Sequence, residues 1–440
     1  MAPYDVLVTG SSGHLGTALM LSLPTMGFTP VGIDILASDN THHVGSIADR
    51  ELVASILQNN PIRHVLHAAT LHKPHVESHS KQDFVNTNIS GTLVLLEEAA
   101  KKQVDSFVFF STTSTFGAAL SPKPGSPAAW IEESVVPIPK NIYGATKVAA
   151  EDMCFLVHKQ TGMPVLVLRT SRFFPEQDDD EDRRTALADE NLKVLELAYR
   201  RCDIEDIVRA SVCAMAKAKD IGWGKYVISA PPPFANDPET LRKLDSNPKE
   251  VFQAVVPACE NIFRDANWGY LARIDRVYDS SKFVRDLGWK PVYTFEKVVE
   301  LIGQGKPWKS ELTAKVGKRG YHEIIGWTCE SSTMDEPVEL PREVRRAFNS
   351  VRFARKKGLR NEYLEEKEVA FRKVINDWVA DMLARNTYIM DLPDGARAAF
   401  RDVIDARNEK RPREEQSAKE TEFCRKLNAW ATETLMQQQR

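Results

Sequence analysis

The chain lacks the features that mark secreted, membrane-spanning or nucleic-acid-coating proteins. Its six cysteines (Cys154, Cys202, Cys213, Cys259, Cys329 and Cys424) are scattered among 440 residues, with no C-x-x-C pair. That excludes a dense disulfide framework and a cysteine zinc cluster, and fits a reducing compartment. No apolar run approaches the roughly 18 residues that a membrane span needs. Charge of neither sign dominates: the formal net charge of -3 gives no global attraction to nucleic acid or to an anionic membrane. The first β-branched run begins almost at Met1, with no basic and apolar leader before it, so no secretory signal is expected. A cytoplasmic, soluble protein without membrane or nucleic-acid partners is the resulting expectation.

What is present is enough apolar material, 42% of residues, for more than one core. At this length two or three units are expected. From Asp5 to about Leu168, short β-branched runs alternate with helical patterns. The runs are Val6–Thr9, Val31–Ile35, His64–Ala69, Ser106–Ser111 and Pro164–Arg169; Leu15–Met26, Arg50–Gln58, Asn86–Lys102 and Tyr143–Thr161 lie between or after them. Such alternation implies right-handed crossovers and a doubly wound parallel α/β sheet. Beyond Arg169 the pattern loosens. The acidic run Asp178–Asp182 reads as a solvated loop, Pro231-Pro232-Pro233 follows the apolar run Tyr226–Ser229, and Asp275–Glu300 reads as a closing element. Three regions are therefore expected: a Rossmann core over 1–170, a smaller substrate region over 171–325, and a helical extension over 326–440. In that extension Leu364, Phe371, Val374, Ile375, Trp378 and Met382 form one apolar stripe, read as core or as a dimer contact, and a homodimer is expected. The basic cluster from Arg342 to Arg360 reads as a solvated or intramolecular face.

Three motifs carry chemistry. Thr9-Gly10-Ser11-Ser12-Gly13-His14-Leu15-Gly16 follows a strand and opens a helix. Gly10 permits the tight turn, Gly13 lets main chain approach a pyrophosphate, and Gly16 allows close helix–strand packing, with the helix N-terminus facing the phosphates. Asp34, about 20 residues further on, ends the second strand, where a carboxylate binds ribose hydroxyls and repels a 2′-phosphate. NAD is therefore favoured over NADP. Tyr143 and Lys147, four apart on one helix, project to one face. An ammonium beside a phenol stabilises the phenolate, turning a poor base into a useful one, and Lys147 could also hold the nicotinamide ribose. A strand-end hydroxyl in Ser111–Thr115 would orient the reacting alcohol.

These residues, with His67-Ala68-Ala69, Asn88-x-x-Gly91-Thr92, the distal DIEDIVRA and LGWKP, resemble the extended short-chain dehydrogenase/reductases of the NAD-dependent epimerase/dehydratase family. The chain is similar to sugar-nucleotide 4-epimerases from about Val6 to Tyr321, as a less characterised subgroup. The resemblance implies an enzyme with NAD as cofactor and a sugar or sugar derivative as substrate. It implies Thr112 as the third catalytic residue, with Ser111 as fallback, and Ala68, Ala69 and Asn88 beside the cofactor. The adenine contact falls on Ser46 and Ile47, where Gly45-Ser46-Ile47 replaces the family's Gly-Asp pattern. Thr113-Ser114 stands where dehydratases carry Asp-Glu, which disfavours elimination of water. Arg172 replaces an Asn that holds the substrate diphosphate, and could clamp a phosphate or carboxylate. His72 and His75, in the run His72-x-x-His75-x-x-x-His79, are expected to line the substrate pocket rather than to bind metal; no metal is expected. The expectation is an NAD-dependent epimerase or oxidoreductase of a secondary alcohol. The alternatives are a dehydrogenase/reductase of a non-nucleotide small molecule, or a non-catalytic dinucleotide-binding scaffold that uses its helical tail.

Overall fold

The computed structural model describes residues 3–174 and 185–317. The chain divides into two compact units, Met1–Gly326 and Trp327–Arg440. The acidic run, the basic cluster and the apolar stripe of the extension therefore lie outside the described residues.

Eleven strands are found among the described residues: β1 Val6–Thr9, β2 Pro30–Asp34, β3 His43–Val44, β4 His64–His67, β5 Ser106–Thr112, β6 Ala129–Ile131, β7 Val165–Thr170, β8 Arg172–Phe173, β9 Arg201–Cys202, β10 Trp223–Ile228 and β11 Arg276–Tyr278. Seven form one sheet in the order β10-β7-β5-β4-β1-β2-β3, every neighbouring pair parallel. This is the doubly wound Rossmann arrangement, with the order reversing at β1 and β4, where a crevice opens beyond the strand ends. The sheet is not confined to residues 1–170, because β10 supplies its edge.

Successive side chains point to opposite faces of a strand, and both faces here are apolar. In β1, Val6 and Val8 join the core under the helices His14–Ser22 and Ile204–Ile221. Leu7 joins the opposite core, under the helices Arg50–Asn59, Thr92–Lys102 and Ile142–Thr161. In β7, Leu166 and Leu168 take the first side, Val165 and Val167 the second. Burial of each such side chain is worth about 1.5–3 kcal/mol, and a strand covered on both faces reads as a continuous apolar run. A third core gathers Phe174, Leu195, Tyr199, Phe252, Phe263 and Phe295 from the later region. The short parallel pairs β6–β11 and β8–β9 tie that region to segments leaving the sheet.

Two buried acids at the start of the Ile204–Ile221 helix fasten later segments onto it. Asp203 accepts from Ser310 N–H and Oγ–H, and Asp206 from the amides of Val292 and Tyr293. The expected helix Asn86–Lys102 begins regularly only at Thr92; a wide π-type turn spans Val85–Gly91. The expected helix Leu15–Met26 stops at Ser22, and a tight turn over Leu23–Met26, containing Pro24, ends at Gly27 in the left-handed region. No helix among the described residues is long and apolar enough to cross a membrane.

Candidate active site

One cavity of about 700 Å³ runs along the sheet's carboxyl edge, from the glycine turn to the later region. Its first end is mostly main chain. Gly10 has φ of +71°, and a Cβ there would stand 2.7 Å from the Ala69 nitrogen. A Cβ on Gly16 would stand 1.9 Å from the Gly10 carbonyl, so the helix can lie this close to the turn only without a side chain. The His14–Ser22 helix begins at Gly13 without a side-chain cap, and Gly13, His14, Leu15 and Gly16 line the cavity. An uncapped helix start presents amides and a partial positive charge to an anion. Asp34 also lines the cavity; its carboxylate accepts from the amides of Ser12 at 2.9 Å and Leu36 at 3.0 Å, which fix its orientation. Ser46, Ile47, Ala68 and Ala69 complete this end.

Beneath it runs a polar chain whose proton positions can be deduced. Ala69 N–H donates to Thr9 Oγ1, which lies 2.8 Å from His67 Nδ1. Thr92 Oγ1 donates to the Asn88 carbonyl and so accepts from His67 Nε2, 2.9 Å away. His67 thus carries its proton on Nε2 and accepts at Nδ1. Burial, with the Lys147 charge, pushes its pKa well below the ordinary imidazole value, so it stays neutral. Asn88 does not reach the cavity wall. Its amide group accepts from Leu71 N–H and Thr70 Oγ1–H and donates to Leu71 O and Thr146 Oγ1. It joins the 70–71 segment to the Ile142–Thr161 helix, and the π-type turn supplies the geometry.

The helix Ile142–Thr161 starts at Asn141, whose side chain accepts from Gly144 N–H. Tyr143 is buried yet lines the cavity. Lys147, one turn on, lies off the wall: its Nζ donates to the Phe110 carbonyl at 2.7 Å and sits 3.9 Å above the Phe109 ring. Burial brings its ammonium down to about 7. The two strand-end hydroxyls separate clearly. Both residues line the cavity, but Ser111 donates to Glu151 at 2.6 Å while Thr112 accepts from the Ser114 amide. Thr113 is on the wall as well; Ser12 is not, its hydroxyl instead meeting Ser38 and Thr41 at 2.8 Å.

The other end is lined by long side chains. His72 and His75 lie on the wall with ring centroids 4.7 Å apart, and the His72 ring is 6.4 Å from that of Tyr143. The His72 amide donates to His75 Nδ1, which places the neutral His75 proton on Nε2. His79 stacks edgewise on His75 without reaching the wall. Among the described residues no group of His, Cys, Asp and Glu is arranged to hold a metal ion. Arg172 lines the cavity beside Arg200 and Arg276, two residues that sequence reading missed. Arg200 pairs with Glu196, and Arg276 with Asp275 at 2.6 Å. Arg276 lies inside the segment read as a closing element, but no spacing there marks it as facing a site. Of the described residues on the cavity wall, Asp34 is the only acid, whereas Lys73, Lys140, Arg172, Arg200 and Arg276 are basic.

A family model described as the NAD dependent epimerase/dehydratase family matches residues 6–229. The UDP-glucose 4-epimerase of Rhizobium meliloti (strain 1021) is 30% identical over 176 residues, covering 38% of this chain and 52% of the relative. The dTDP-glucose 4,6-dehydratase of Xanthomonas campestris pv. campestris (strain B100) is 25% identical over 343 residues, 67% of this chain and 91% of that one. The chain spans about half the length of the first curated relatives it matches. Among solved structures, the UDP-N-acetylglucosamine 4-epimerase from Bacillus cereus covers 68% of this chain and 98% of its own, with 20% identity and a TM-score of 0.47. With a glycine turn, strand-end acid and Tyr/Lys helix placed around one crevice, and a family match extending over half its length, the chain belongs to the NAD dependent epimerase/dehydratase family.

Proposed function

We propose that this chain is an NAD-dependent epimerase or oxidoreductase acting on a secondary alcohol of a sugar nucleotide or similar anionic sugar derivative. The observation that carries the reading is the charge layout of the cavity wall: among the described residues five basic side chains line it, two of them paired with Glu196 and Asp275 behind it, and Asp34 at the glycine-turn end is the one acid. The fit to a dinucleotide rests on Gly13 and the uncapped helix start for the pyrophosphate, and on Asp34 for the ribose diol. NAD, when bound, supplies the hydride acceptor. The chain's own groups do the rest. Thr112 orients the substrate hydroxyl, Tyr143 as phenolate takes its proton, and Lys147 keeps that phenolate accessible in energy. Arg172, Arg200 and Arg276 hold the anionic group, and His72 and His75 stand beside the sugar. Thr113-Ser114 supplies no carboxyl group where a dehydratase needs acid and base, so elimination is disfavoured.

The test is incubation with NAD and UDP-glucose, then with other sugar nucleotides, following product and NADH together. Product without NADH accumulation identifies an epimerase; stoichiometric NADH identifies a dehydrogenase. Tyr143→Phe is expected to lower turnover about 10²–10⁴-fold, the usual worth of a positioned base, with NAD affinity nearly unchanged. Wild-type turnover in that variant would end this reading.

A further inference from the structure

We propose that segment 72–79 is a pH-operated latch on the cavity wall, closed while His75 is neutral and released when its ring gains a proton. The segment is pinned at both ends. Before it, Asn88 holds the amide and the carbonyl of Leu71, at 2.8 and 2.9 Å; after it, Ser80 and Asp83 each accept from the other's amide. Between these pins the turn Lys73–Glu77 is closed by histidines. The His72 amide donates to His75 Nδ1 at 3.0 Å, and the His75 amide turns back to His72, to its carbonyl at 2.9 Å and to its side chain. Such a reciprocal cap ordinarily takes a Glu or Gln oxygen at its third helical position. Here a ring nitrogen takes that place. Neutral imidazole accepts at one nitrogen, whereas imidazolium carries N–H on both and accepts at neither. Protonation of His75 therefore sets two donors against each other at the His72 amide.

The ring that would take the charge is only 3% exposed, although Lys73, Pro74 and Ser78 of the same segment are open to water. His72 and His79 stand edgewise to it at 4.7 and 4.9 Å. The charged groups about it are mostly cations: Lys73 within the segment, Lys140 just before the Ile142–Thr161 helix, and Arg172 on the same wall. Tyr143 is the neighbouring phenol, and the Asp83 carboxylate is engaged by the Ser80 amide and hydroxyl. Burial and these cations both work against an imidazolium inside the closed segment. Opened, the segment exposes His75 to water, where it binds a proton as an ordinary imidazole does. Closure thus releases a proton, so it is favoured above about pH 6.5 and lost as pH falls below that. His72, Lys73, Pro74 and His75 all line the cavity, and the His72 ring is 6.4 Å from that of Tyr143. Release of the latch removes the wall beside Tyr143.

The experiment is hydrogen–deuterium exchange of the full-length protein from about pH 5 to 8, the range in which histidine titrates. Peptides covering 70–80 are followed, with the intrinsic pH dependence of exchange divided out. In the wild type their protection is expected to hold at the upper end and to fall about tenfold per pH unit below the transition, as one proton requires. His75→Asn offers an amide oxygen to the His72 amide and does not titrate, so its protection is expected to persist at the acid end. His79→Asn removes the neighbouring imidazole and should keep the wild-type transition. Protection that stays level across the range in the wild type would overturn the proposal. So would a transition that survives His75→Asn or vanishes with His79→Asn. Should His75→Asn not fold, the other two proteins decide: a transition in both supports the latch, and its absence from either overturns it. Turnover is not the readout, so the latch and the role of Tyr143 as base fail separately.

Discussion

At the Asp34 end of the cavity the wall is main chain and small side chains from residues 10–16, 34, 45–47 and 68–69, whereas at the Arg172 end it is long side chains from widely separated segments. The first end is defined by what cannot be there, a Cβ at Gly10 or Gly16. The second is defined by charge that converges only on folding: Arg172 from β8, Arg200 just before β9, Arg276 from β11. A site made of backbone has little freedom to vary, because amides and helix ends have one geometry. A site made of arginines and histidines can be retuned residue by residue. That division accounts for a recognisable glycine-turn end joined to a less recognisable arginine end.

The sharpest way to break the comparison is Gly16→Ala. Its new Cβ would meet the Gly10 carbonyl at 1.9 Å, so the helix must retreat from the turn. NAD affinity is expected to fall more than about tenfold, with a stability loss of about 3 kcal/mol, read by calorimetry and thermal unfolding. Retained affinity would mean that the close approach is not what shapes this end. Next in size is Arg172→Met, which should raise the half-saturating concentration of the sugar nucleotide about 10-fold, the worth of one charged hydrogen bond. Its NAD affinity should match the wild type; a change there would show that the two ends are not separate.

A separate effect, spread over several pH units, concerns the supports of the second region. Burial, with the neighbouring Asp203 carboxylate, pushes Asp206 up to about 7 even though Val292 and Tyr293 donate amides to it. The folded state therefore holds a proton that the unfolded chain has already released above its ordinary carboxyl value. Stability contributed by this group is full below that value and is lost as pH rises towards 7, on the order of 4 kcal/mol. Thermal midpoints measured across that window should fall with pH, and Asp206→Asn should flatten the slope. A slope unchanged in the variant would assign the dependence elsewhere.

Much of this was legible beforehand. The apolar runs that became β1, β4, β5 and β7 are continuous because both faces are covered, and the glycine turn and Asp34 do line one cavity. The Tyr143/Lys147 spacing gave the helix face, but not that Lys147 would lie off the wall beneath the Phe110 carbonyl. Asn88, expected beside the cofactor, lies off the cavity wall and ties Leu71 to Thr146; an amide side chain carries no sign of which main chain it will meet. Arg200 and Arg276 were invisible for a related reason. A surface ion pair and a site arginine have the same sequence appearance, and the choice rests on which way a later segment folds back.

The sequence by itself determined the local matters: strand–helix alternation, a turn that tolerates no side chain, and a phenol and an ammonium one helical turn apart. These follow from backbone sterics and helical period, which act over a few residues. Tertiary structure alone decided that Ser111 donates to Glu151 while Thr112 accepts from the Ser114 amide, that His67 is neutral with its proton on Nε2, and that three arginines line the same cavity as Asp34. Burial and the partners brought by distant strands fix charge and proton positions, and no local pattern encodes them.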